Sequence, residues 1–573
     1  MALLLLLLAA YFPALRAGYV WDDDAYVTAN PVLREPGGLA RIWLEPLATP
    51  QYYPLVFSSF WLEYRLWGIV PAGYHLVNVL IHAANAALLW AILGRLAVPG
   101  AWLGAALFAF HPVHVESVAW ITERKNVLSG LFYLSAFLAY LRFLRLGEAD
   151  PIPATGRTAG ASPGRWLAAF GLFICALLCK SVTATLPAAV LLVLWWKRGT
   201  LRLRDATPLA PFFAAGLAFG LSTAVIEVTH VGARGALWNL SPVERILVAG
   251  RALFFYAGKL LVPWPLSFVY PRWEINGANF WQYLAPAAWV GLLLLLFALR
   301  RSIGRGPVTA VLFFTGTLFP ALGFLNVYPM RFSFVADHFQ YLASIGLLAA
   351  AGALLAARGL LIRGGAPLLL ICGLLTWQHS KAFADEETLW LDTLGTNPSA
   401  YIAHNNLGLI RHRRGEIEAA ISSYSAAIAV RPDAVFALNN LGKALVERGS
   451  LDQAQEALRR AVQIDPDYAE AWSNLGVALA EAGRVEEALS CYHKAIRLRP
   501  AFDLAYFNLG KDLLQLGRVQ EGIDALSEAI RVNPAYGEAH RSLGAALARI
   551  GRFEEAQAHL ERADRVLPPT LSP

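Results

Sequence analysis

The sequence is poor in charged residues and in cysteine. Only 16% of its 573 residues are Asp, Glu, Lys or Arg, while 57% are hydrophobic, a balance that excludes an ordinary soluble protein. The four cysteines predict core packing and no disulfide framework. No glycine-rich loop of the P-loop or dinucleotide type is present, which argues against a soluble nucleotide donor. The composition therefore indicates a polytopic membrane protein.

The net excess of positive charge lies in the first 400 residues of the chain. Residues 401–573 carry a net charge of −2, so that of the chain's total of +7 residues 1–400 carry +9. Loops that remain in the cytoplasm collect Lys and Arg in membrane proteins. The basic excess therefore indicates a membrane topology, and it implies no nucleic-acid partner.

Apolar runs of about spanning length occur eleven times in the first 380 residues, and several of them are short. They cover residues 2–19, 74–97, 100–118, 127–145, 166–179, 183–197, 207–227, 283–299, 307–325, 341–357 and 366–378. With the N-terminus inside, the inside loops receive four successive basic clusters, at 142–165, 197–204, 300–305 and 358–363. An all-α domain of about eleven spans is predicted for residues 1–380.

The remaining segments are predicted from their composition and from this orientation. Residues 243–262 contain four charged side chains and predict an amphipathic helix on the outer interface. Residues 147–165, rich in Gly, Pro, Ala and Ser, predict a cytoplasmic linker. The same count places 22–24, 111–126, Lys180, 228–281 and 326–340 outside, together with a connecting helix at 381–400 and the C-terminal region.

Three consecutive carboxylates follow the first apolar run, in the stretch Trp21-Asp22-Asp23-Asp24-Ala25-Tyr26. Carboxylates beside a bilayer are costly, because the ionised form loses water and must find cations, ligands or protons. A solvated loop at the membrane edge is the alternative explanation. The stretch is a candidate catalytic site.

A second polar stretch connects the third and fourth predicted spans. His111, His114 and Glu116 are expected to hydrogen-bond within a polar site, while Arg124 and Lys125 are expected to attract a phosphate. The histidines and Glu116 are possible zinc ligands, but Pro112 breaks the helix that would align them, so a divalent metal is not favoured.

Other polar residues fall on the same predicted face. Lys180 and Arg331 are further candidates to bind a donor phosphate, and Asp337, His338 and Tyr341 are candidates to support the site. Each alone is explained by an interfacial side chain. Together, carboxylates that accept a proton beside cations that hold a phosphate suggest group transfer from a phosphate-linked lipid.

The last third of the chain is a repeat array. Proline recurs every 34 residues, at Pro398, Pro432, Pro466, Pro500, Pro534 and Pro568, and a Leu-Gly pair recurs five times in the same register. This period is typical of the tetratricopeptide repeat, a helical hairpin that buries its apolar face by stacking on its neighbours. Residues 401–573 therefore predict an extracytoplasmic α-solenoid of five repeats.

An asparagine precedes four of the five Leu-Gly pairs, at Asn406, Asn440, Asn474 and Asn508. An amide can both donate to and accept from a peptide backbone of any sequence. A ladder of such amides on the concave side predicts a binding surface for polypeptides. The alternative is that each Asn caps or braces its own hairpin.

Taken together, these features resemble the transmembrane and tetratricopeptide-repeat (TMTC-like) protein O-mannosyltransferases, within the GT-C glycosyltransferases. The resemblance rests on VWDDDAY, on FHPVHVESVAWITERKNVLSGLFYLSAFLAY, on FVADHFQYLASIG and on repeats after the last span. It implies that Asp22 or Asp23 is the catalytic base. Glu116 is a further candidate catalytic residue. The Ala-, Leu-, Gly- and Arg-rich composition suggests a bacterial relative, with its active site and repeats on the periplasmic side of the inner membrane.

The resemblance also implies substrates. The donor would be a polyprenyl- or dolichyl-phosphate sugar, mannose above all, and the acceptor a Ser or Thr hydroxyl of an extracytoplasmic polypeptide, with no cofactor required. Two alternatives remain: a non-enzymatic scaffold anchored in the bilayer, which would not need the outer-face charges, and an extracytoplasmic glycan ligase, which would not need the Asn ladder.

Overall fold

The computed structural model describes residues 2–146, 162–233 and 235–566, and these residues form helices and no β-strand. Most of the predicted linker at 147–165 lies outside the described residues. The chain divides into two compact units, Met1–Pro398 and Ser399–Pro573. The all-α prediction is confirmed for the described residues.

The first unit contains nineteen α-helices in its described residues. They are α1 (Ala2–Ala10), α2 (Phe12–Leu15), α3 (Pro31–Arg34), α4 (Gly38–Leu44), α5 (Pro54–Trp67), α6 (Pro71–Arg95), α7 (Ala101–Phe110), α8 (Val115–Ala119), α9 (Arg124–Phe143), α10 (Pro163–Cys179), α11 (Leu186–Arg198), α12 (Leu203–Ala206), α13 (Ala210–Ile226), α14 (Pro242–Leu261), α15 (Leu284–Leu299), α16 (Gly306–Leu318), α17 (Ser344–Ala357), α18 (Gly365–Ser380) and α19 (Glu386–Thr396).

Four helical segments of the described residues are long and apolar enough to cross a membrane: Pro71–Arg95, Ile121–Phe143, Leu203–Val231 and Phe280–Leu299. Other predicted spans form shorter apolar helices, such as the ten-residue α7 and the thirteen-residue α16. The first predicted span is divided into α1 and α2, because Pro13 has no N–H to continue the helical hydrogen bonds. The prediction of eleven spans is therefore not confirmed.

Three α-helices that the apolar pattern did not predict lie between the acidic stretch and α6. They are α3, α4 and α5, and Phe57 and Phe60 of α5 are fully buried. The ring of Tyr26 stacks on Phe57 with 5.1 Å between centroids. This aromatic packing attaches the acidic stretch to the helices that follow it.

The predicted amphipathic helix at 243–262 is α14, Pro242–Leu261. Its first turn is closed by a capping box in which Ser241 and Glu244 bond to each other's backbone N–H groups. One face, with Leu247, Val248 and Tyr256, is buried. It does not meet the criteria for a candidate span because it carries four charged residues.

The second unit consists of five helical hairpins in its described residues. They pair α20 (Tyr401–Arg413) with α21 (Ile417–Val430), α22 (Val435–Glu447) with α23 (Leu451–Ile464), α24 (Ala469–Glu481) with α25 (Val485–Leu498), α26 (Asp503–Gln515) with α27 (Val519–Val532), and α28 (Gly537–Arg549) with α29 (Phe553–Val566).

Two recurrent glycines explain the hairpin geometry. The glycine between paired helices has a left-handed backbone, for example φ 78° at Gly483, which an L side chain rarely adopts. The glycine of each Leu-Gly pair allows the two helices to approach, since a Cβ on Gly476 would lie 2.4 Å from the Tyr492 ring. The tetratricopeptide architecture is therefore confirmed by the hairpins themselves.

Candidate functional site

The three aspartates of the acidic stretch occupy three different environments. Trp21, which precedes them, has a left-handed backbone with φ 47°. Such a conformation is uncommon for a bulky residue and persists only where the surroundings hold it. Here four aromatic rings surround the indole of Trp21, with centroids 5.1 to 6.1 Å away: Trp120, Phe268, Phe332 and Trp390. This packing fixes where the aspartates point.

Asp23 is fully buried and its carboxylate is fully engaged. One oxygen accepts hydrogen bonds from the backbone N–H of Thr122 (2.8 Å) and from its hydroxyl (2.6 Å), and the other accepts from the N–H of Val20 (2.9 Å). Burial raises the pKa of Asp23 to about 7, while these hydrogen bonds act in the opposite direction. Asp23 therefore ties the acidic stretch to the segment that precedes α9.

Asp22 is half-buried, and its Oδ1 is buried without a hydrogen-bond partner among the described residues. Burial raises the pKa of Asp22 to about 6, the positive charge of Lys125 lowers it, and the negative charge of Glu123 raises it. Asp24 is exposed and accepts only from the N–H of Ala25. Among the three aspartates of the described stretch, Asp22 is the one that is partly buried and has an oxygen without a hydrogen-bond partner among the described residues.

A buried carboxylate at Glu123 gathers two lysines. Its Oε1 lies 2.9 Å from the Lys125 ammonium and its Oε2 lies 3.4 Å from that of Lys180. Lys180 also donates to Oδ1 of Asn126 at 2.7 Å. Two ammonium groups against one carboxylate leave the trio positively charged. The structure thus brings Lys125 and Lys180 together, next to Asp22.

The loop at 326–340 contacts the cluster through His338. Oε1 of Glu116 lies 2.7 Å from Nδ1 of His338, and the other oxygen accepts from the His338 backbone N–H at 3.0 Å. Nδ2 of Asn126 donates to the backbone carbonyl of His338 at 2.9 Å. Glu116 and His338 therefore hold each other and, through Asn126, the lysine cluster.

Asp337 occupies a separate buried position in the same loop. It accepts a 2.8 Å hydrogen bond from the hydroxyl of Tyr270. Burial and the nearby charge of Glu116 raise the pKa of Asp337 to about 8. The raised pKa of Asp337 suits a supporting role and not that of a base.

Arg124 does not join this cluster, contrary to the prediction that it binds a phosphate. Its side chain is fully buried and forms a bidentate ion pair with Glu63, and it also donates to Oδ1 of Asn78 and, at 2.9 Å, to the backbone carbonyl of Tyr74. Because these partners occupy the guanidinium, none of it faces the lysines. Arg124 connects α9 to α5 and α6.

Arg331 lies at the edge of the cluster. Its guanidinium donates to the hydroxyl of Tyr328 at 2.8 Å and lies 5.3 Å from the ring centroid of Phe332. Phe332 in turn contacts Trp21. Arg331 is thus separated from the acidic stretch by one aromatic ring.

The remaining predicted residues are buried and hydrogen-bonded among helices. Nδ1 of His114 bonds to the Phe108 carbonyl at 2.7 Å and its Nε2 to Ser344 at 2.9 Å, while His111 bonds to the Leu260 carbonyl at 3.1 Å. The hydroxyl of Tyr341 bonds to His82 at 2.8 Å and to Asn85 at 2.9 Å. These contacts brace the bundle beneath the cluster. Nowhere in the described residues do three or more His, Cys, Asp or Glu side chains group as metal ligands would.

Sequence reasoning missed two central residues of the site. Glu123 and Asn126 flank the predicted cations, and the structure makes them the groups that hold Lys125 and Lys180. The sequence carries a signal for Glu123, because an ionised carboxylate one turn before the predicted span at 127–145 needs a cation beside it. Glu63, the partner of Arg124, gives a similar signal as the acidic residue of α5, a helix that is mostly apolar.

The asparagines of the repeats hydrogen-bond to one another. Nδ2 of Asn440 donates to Oδ1 of Asn405 at 3.0 Å, and Nδ2 of Asn474 donates to Oδ1 of Asn439 at 2.8 Å, each linking two successive repeats. Oδ1 of Asn406 accepts from Asn405, and Asn508 is buried. These contacts join neighbouring hairpins, whereas the alternative places each Asn within its own hairpin, and peptide binding by the ladder stays a prediction.

Comparison with known proteins finds a family model that matches the repeats, together with several solved structures. The family model of the cilia and flagella-associated protein 70 C-terminal domain matches residues 383–568. The crystal structure of MamA is 28% identical and covers 28% of this chain and 94% of that chain, with a TM-score of 0.25. That of a thermophilic TPR protein from Thermus thermophilus is 23% identical, covering 30% and 94%, with a TM-score of 0.28.

Curated relatives match the first unit as well. Protein O-mannosyl-transferase Tmtc3 of Drosophila melanogaster is 23% identical over 518 residues, which cover 74% of this chain and 54% of that protein. Tmtc1 of the same organism is 36% identical over 146 residues, covering 23% and 17%. The chain spans about half or less of the length of these relatives. The chain is thus similar to these TMTC proteins, and its second unit has the helical hairpins of tetratricopeptide repeats.

Proposed function

We propose that this protein is a GT-C-type membrane glycosyltransferase that transfers a sugar, mannose by its similarity to the relatives above, from a polyprenyl- or dolichyl-phosphate donor to a Ser or Thr hydroxyl of an extracytoplasmic polypeptide. The observation that carries the proposal is the buried Oδ1 of Asp22, which has no hydrogen-bond partner among the described residues, beside the Lys125, Lys180 and Glu123 cluster. A proton acceptor next to an excess of positive charge is what this transfer needs.

In the proposed reaction Asp22 takes the proton of the acceptor hydroxyl. The hydroxyl oxygen forms a bond to the anomeric carbon, while the bond between that carbon and the phosphate oxygen breaks and its electron pair leaves with the lipid phosphate. Lys125 and Lys180 stabilise the charge on the departing phosphate. This single displacement inverts the anomeric carbon, and the repeats hold the polypeptide that supplies the hydroxyl.

The positions of the other residues assign them supporting roles in this proposal. Asp23 fixes the acidic stretch on Thr122, Glu123 and Asn126 hold the two lysines, and the Glu116 and His338 pair supports Asn126. Arg331 lies against Phe332, the ring that contacts Trp21.

The two neighbouring aspartates supply a matched test. Asp22→Asn keeps the size of the side chain and removes the base, so we expect sugar transfer from a lipid-phosphate donor to fall by roughly 10²- to 10⁴-fold. Asp24→Asn, at an exposed position two residues away, is the control and should keep its activity. Full activity of Asp22→Asn in the reconstituted protein would overturn the assignment of Asp22 as the base. A non-enzymatic scaffold predicts instead that Asp22→Asn leaves the function of the protein unchanged.

A further inference from the structure

A basic, aromatic cavity lies where α11 and α15 end and α16 begins. Its volume is about 620 Å³, and its lining includes Trp195, Trp196, Phe297, Arg300, Arg301 and Arg305. No Asp or Glu is among its described lining residues. The proposed function makes no use of this cavity.

The cavity lies far from the Asp22 cluster along the helices. α11 begins at Leu186, shortly after Lys180, and ends at Arg198 beside the cavity. At 1.5 Å per residue, its thirteen residues separate the two sites by about 20 Å. The sequence predicts the basic clusters at 197–204 and 300–305 to lie on the inner side of the membrane. Gly199 of the first segment and the arginines of the second line this cavity together.

The arginines of the cavity are held in place without being neutralised. Arg300 donates to the Phe297 carbonyl at 2.5 Å, with its guanidinium 3.8 Å from the centroid of that ring, and Arg305 donates to the Trp196 carbonyl at 3.3 Å. In the part of the chain that the structure describes, Arg300, Arg301 and Arg305 form no ion pair. Their positive charge is therefore open to an anion.

Exposed apolar surface continues from the cavity along α15. Only 6% of the apolar span Phe280–Leu299 is buried, and Leu294, Leu295 and Phe297 are exposed. An apolar helix this exposed faces lipid tails. The stacked rings of Trp195 and Phe297, 6.1 Å apart, lie at its end, where amphipathic aromatic side chains mark the level of the headgroups.

We propose that this cavity binds an anionic phospholipid, with its phosphate between the arginines and its acyl chains along the exposed face of α15. Guanidinium groups offer paired donors that match phosphate oxygens, and basic pockets between membrane helices bind anionic headgroups. Phosphatidylglycerol has the required chemistry, whereas the zwitterionic headgroup of phosphatidylcholine brings a cation with its phosphate. This inference does not depend on the proposed sugar transfer.

The test measures lipid binding to the purified full chain by native mass spectrometry, with phosphatidylglycerol or phosphatidylcholine added. The variant is Arg300→Gln/Arg301→Gln, and the control is Arg358→Gln/Arg363→Gln, two arginines of another predicted inner cluster that do not line the cavity. We expect phosphatidylglycerol affinity to fall roughly fivefold for each cavity arginine removed and to be unchanged in the control.

Three results would overturn the proposal: equal retention of both lipids, an equal loss in the control variant, or displacement of phosphatidylglycerol by an equal concentration of soluble glycerol 3-phosphate. The last result would assign the site to a free phosphate. If the double variant does not fold, the single Arg301→Gln change at an exposed side chain provides the same test, with an expected loss of roughly fivefold.

Discussion

The two units gather their polar side chains over different distances in sequence. In the first unit Asp23 bonds to Thr122, 99 residues away, and Glu116 bonds to His338, 222 residues away. In the second unit the amides of Asn440 and Asn474 each reach a residue 35 positions back, one repeat and one residue earlier. A repeat period therefore predicts which polar groups meet in the second unit, whereas in the first unit only the fold brings them together.

The asparagines of the first repeats and the polar groups around Lys125 also differ in how completely they are hydrogen-bonded. The asparagines of the first repeats donate to and accept from one another. Around Lys125, by contrast, Oδ1 of Asp22 and Nε1 of Trp120 are buried without a partner among the described residues. Because an unsatisfied buried polar atom is costly, these two atoms need a partner that the described residues do not supply. Each prediction below tests one side of this contrast.

The largest effect on stability is expected for the buried Arg124 and Glu63 pair. Arg124→Met leaves the Glu63 carboxylate buried and unpaired, which should lower the free energy of unfolding by about 3–5 kcal/mol. The measurement is thermal unfolding of the full chain in detergent. Arg124→Met/Glu63→Leu should recover most of the loss, because no buried charge remains.

The exposed Arg552 and Glu555 pair of the repeats is the matched control for that prediction. Solvent screens this pair, so Arg552→Met should leave the unfolding temperature unchanged. An equal fall in unfolding temperature for both variants would contradict the expected difference between the buried pair of the first unit and the exposed pair of the repeats.

A smaller effect is expected from pH. The pKa of Asp22 is raised from 3.8 to about 6, and the proposed base must be ionised. The rate of sugar transfer at low acceptor concentration should therefore rise about tenfold per pH unit below pH 6 and level off above it. Asp24→Asn should keep this profile. A rate that does not change between pH 4.5 and 7 would exclude Asp22 as the base.

The smallest effect is expected in the repeats. Asn440→Ala removes the hydrogen bond to Asn405 between two repeats, and it should lower the free energy of unfolding by about 1 kcal/mol. In Asn405→Ala/Asn440→Ala the second change should cost less than it does alone, because the pair is already broken. A raised KM for a protein acceptor at unchanged stability would instead support the predicted peptide-binding ladder.

Part of the candidate site was predictable from single stretches of sequence. Asp22, Lys125 and Lys180 were expected on one face because each follows or precedes an apolar run, and the structure places them together. Arg124 was assigned with Lys125, its neighbour in sequence. However, successive residues of a helix point about 100° apart, and Arg124 is directed to Glu63 while Lys125 is directed to Glu123.

The sequence by itself determined the local architecture: an apolar first unit, an amphipathic α14, and hairpins set by a 34-residue period. These follow from hydrophobic pattern and glycine placement, which act within about one repeat. Only the tertiary structure decided that the Asp23 carboxylate is hydrogen-bonded while Oδ1 of Asp22 has no partner among the described residues, that Glu123 contacts both lysines, and that the arginines of 300–305 meet the aromatic end of α11 in one cavity. Burial and hydrogen bonding between distant segments create those differences, and adjacent residues of the same type do not reveal them.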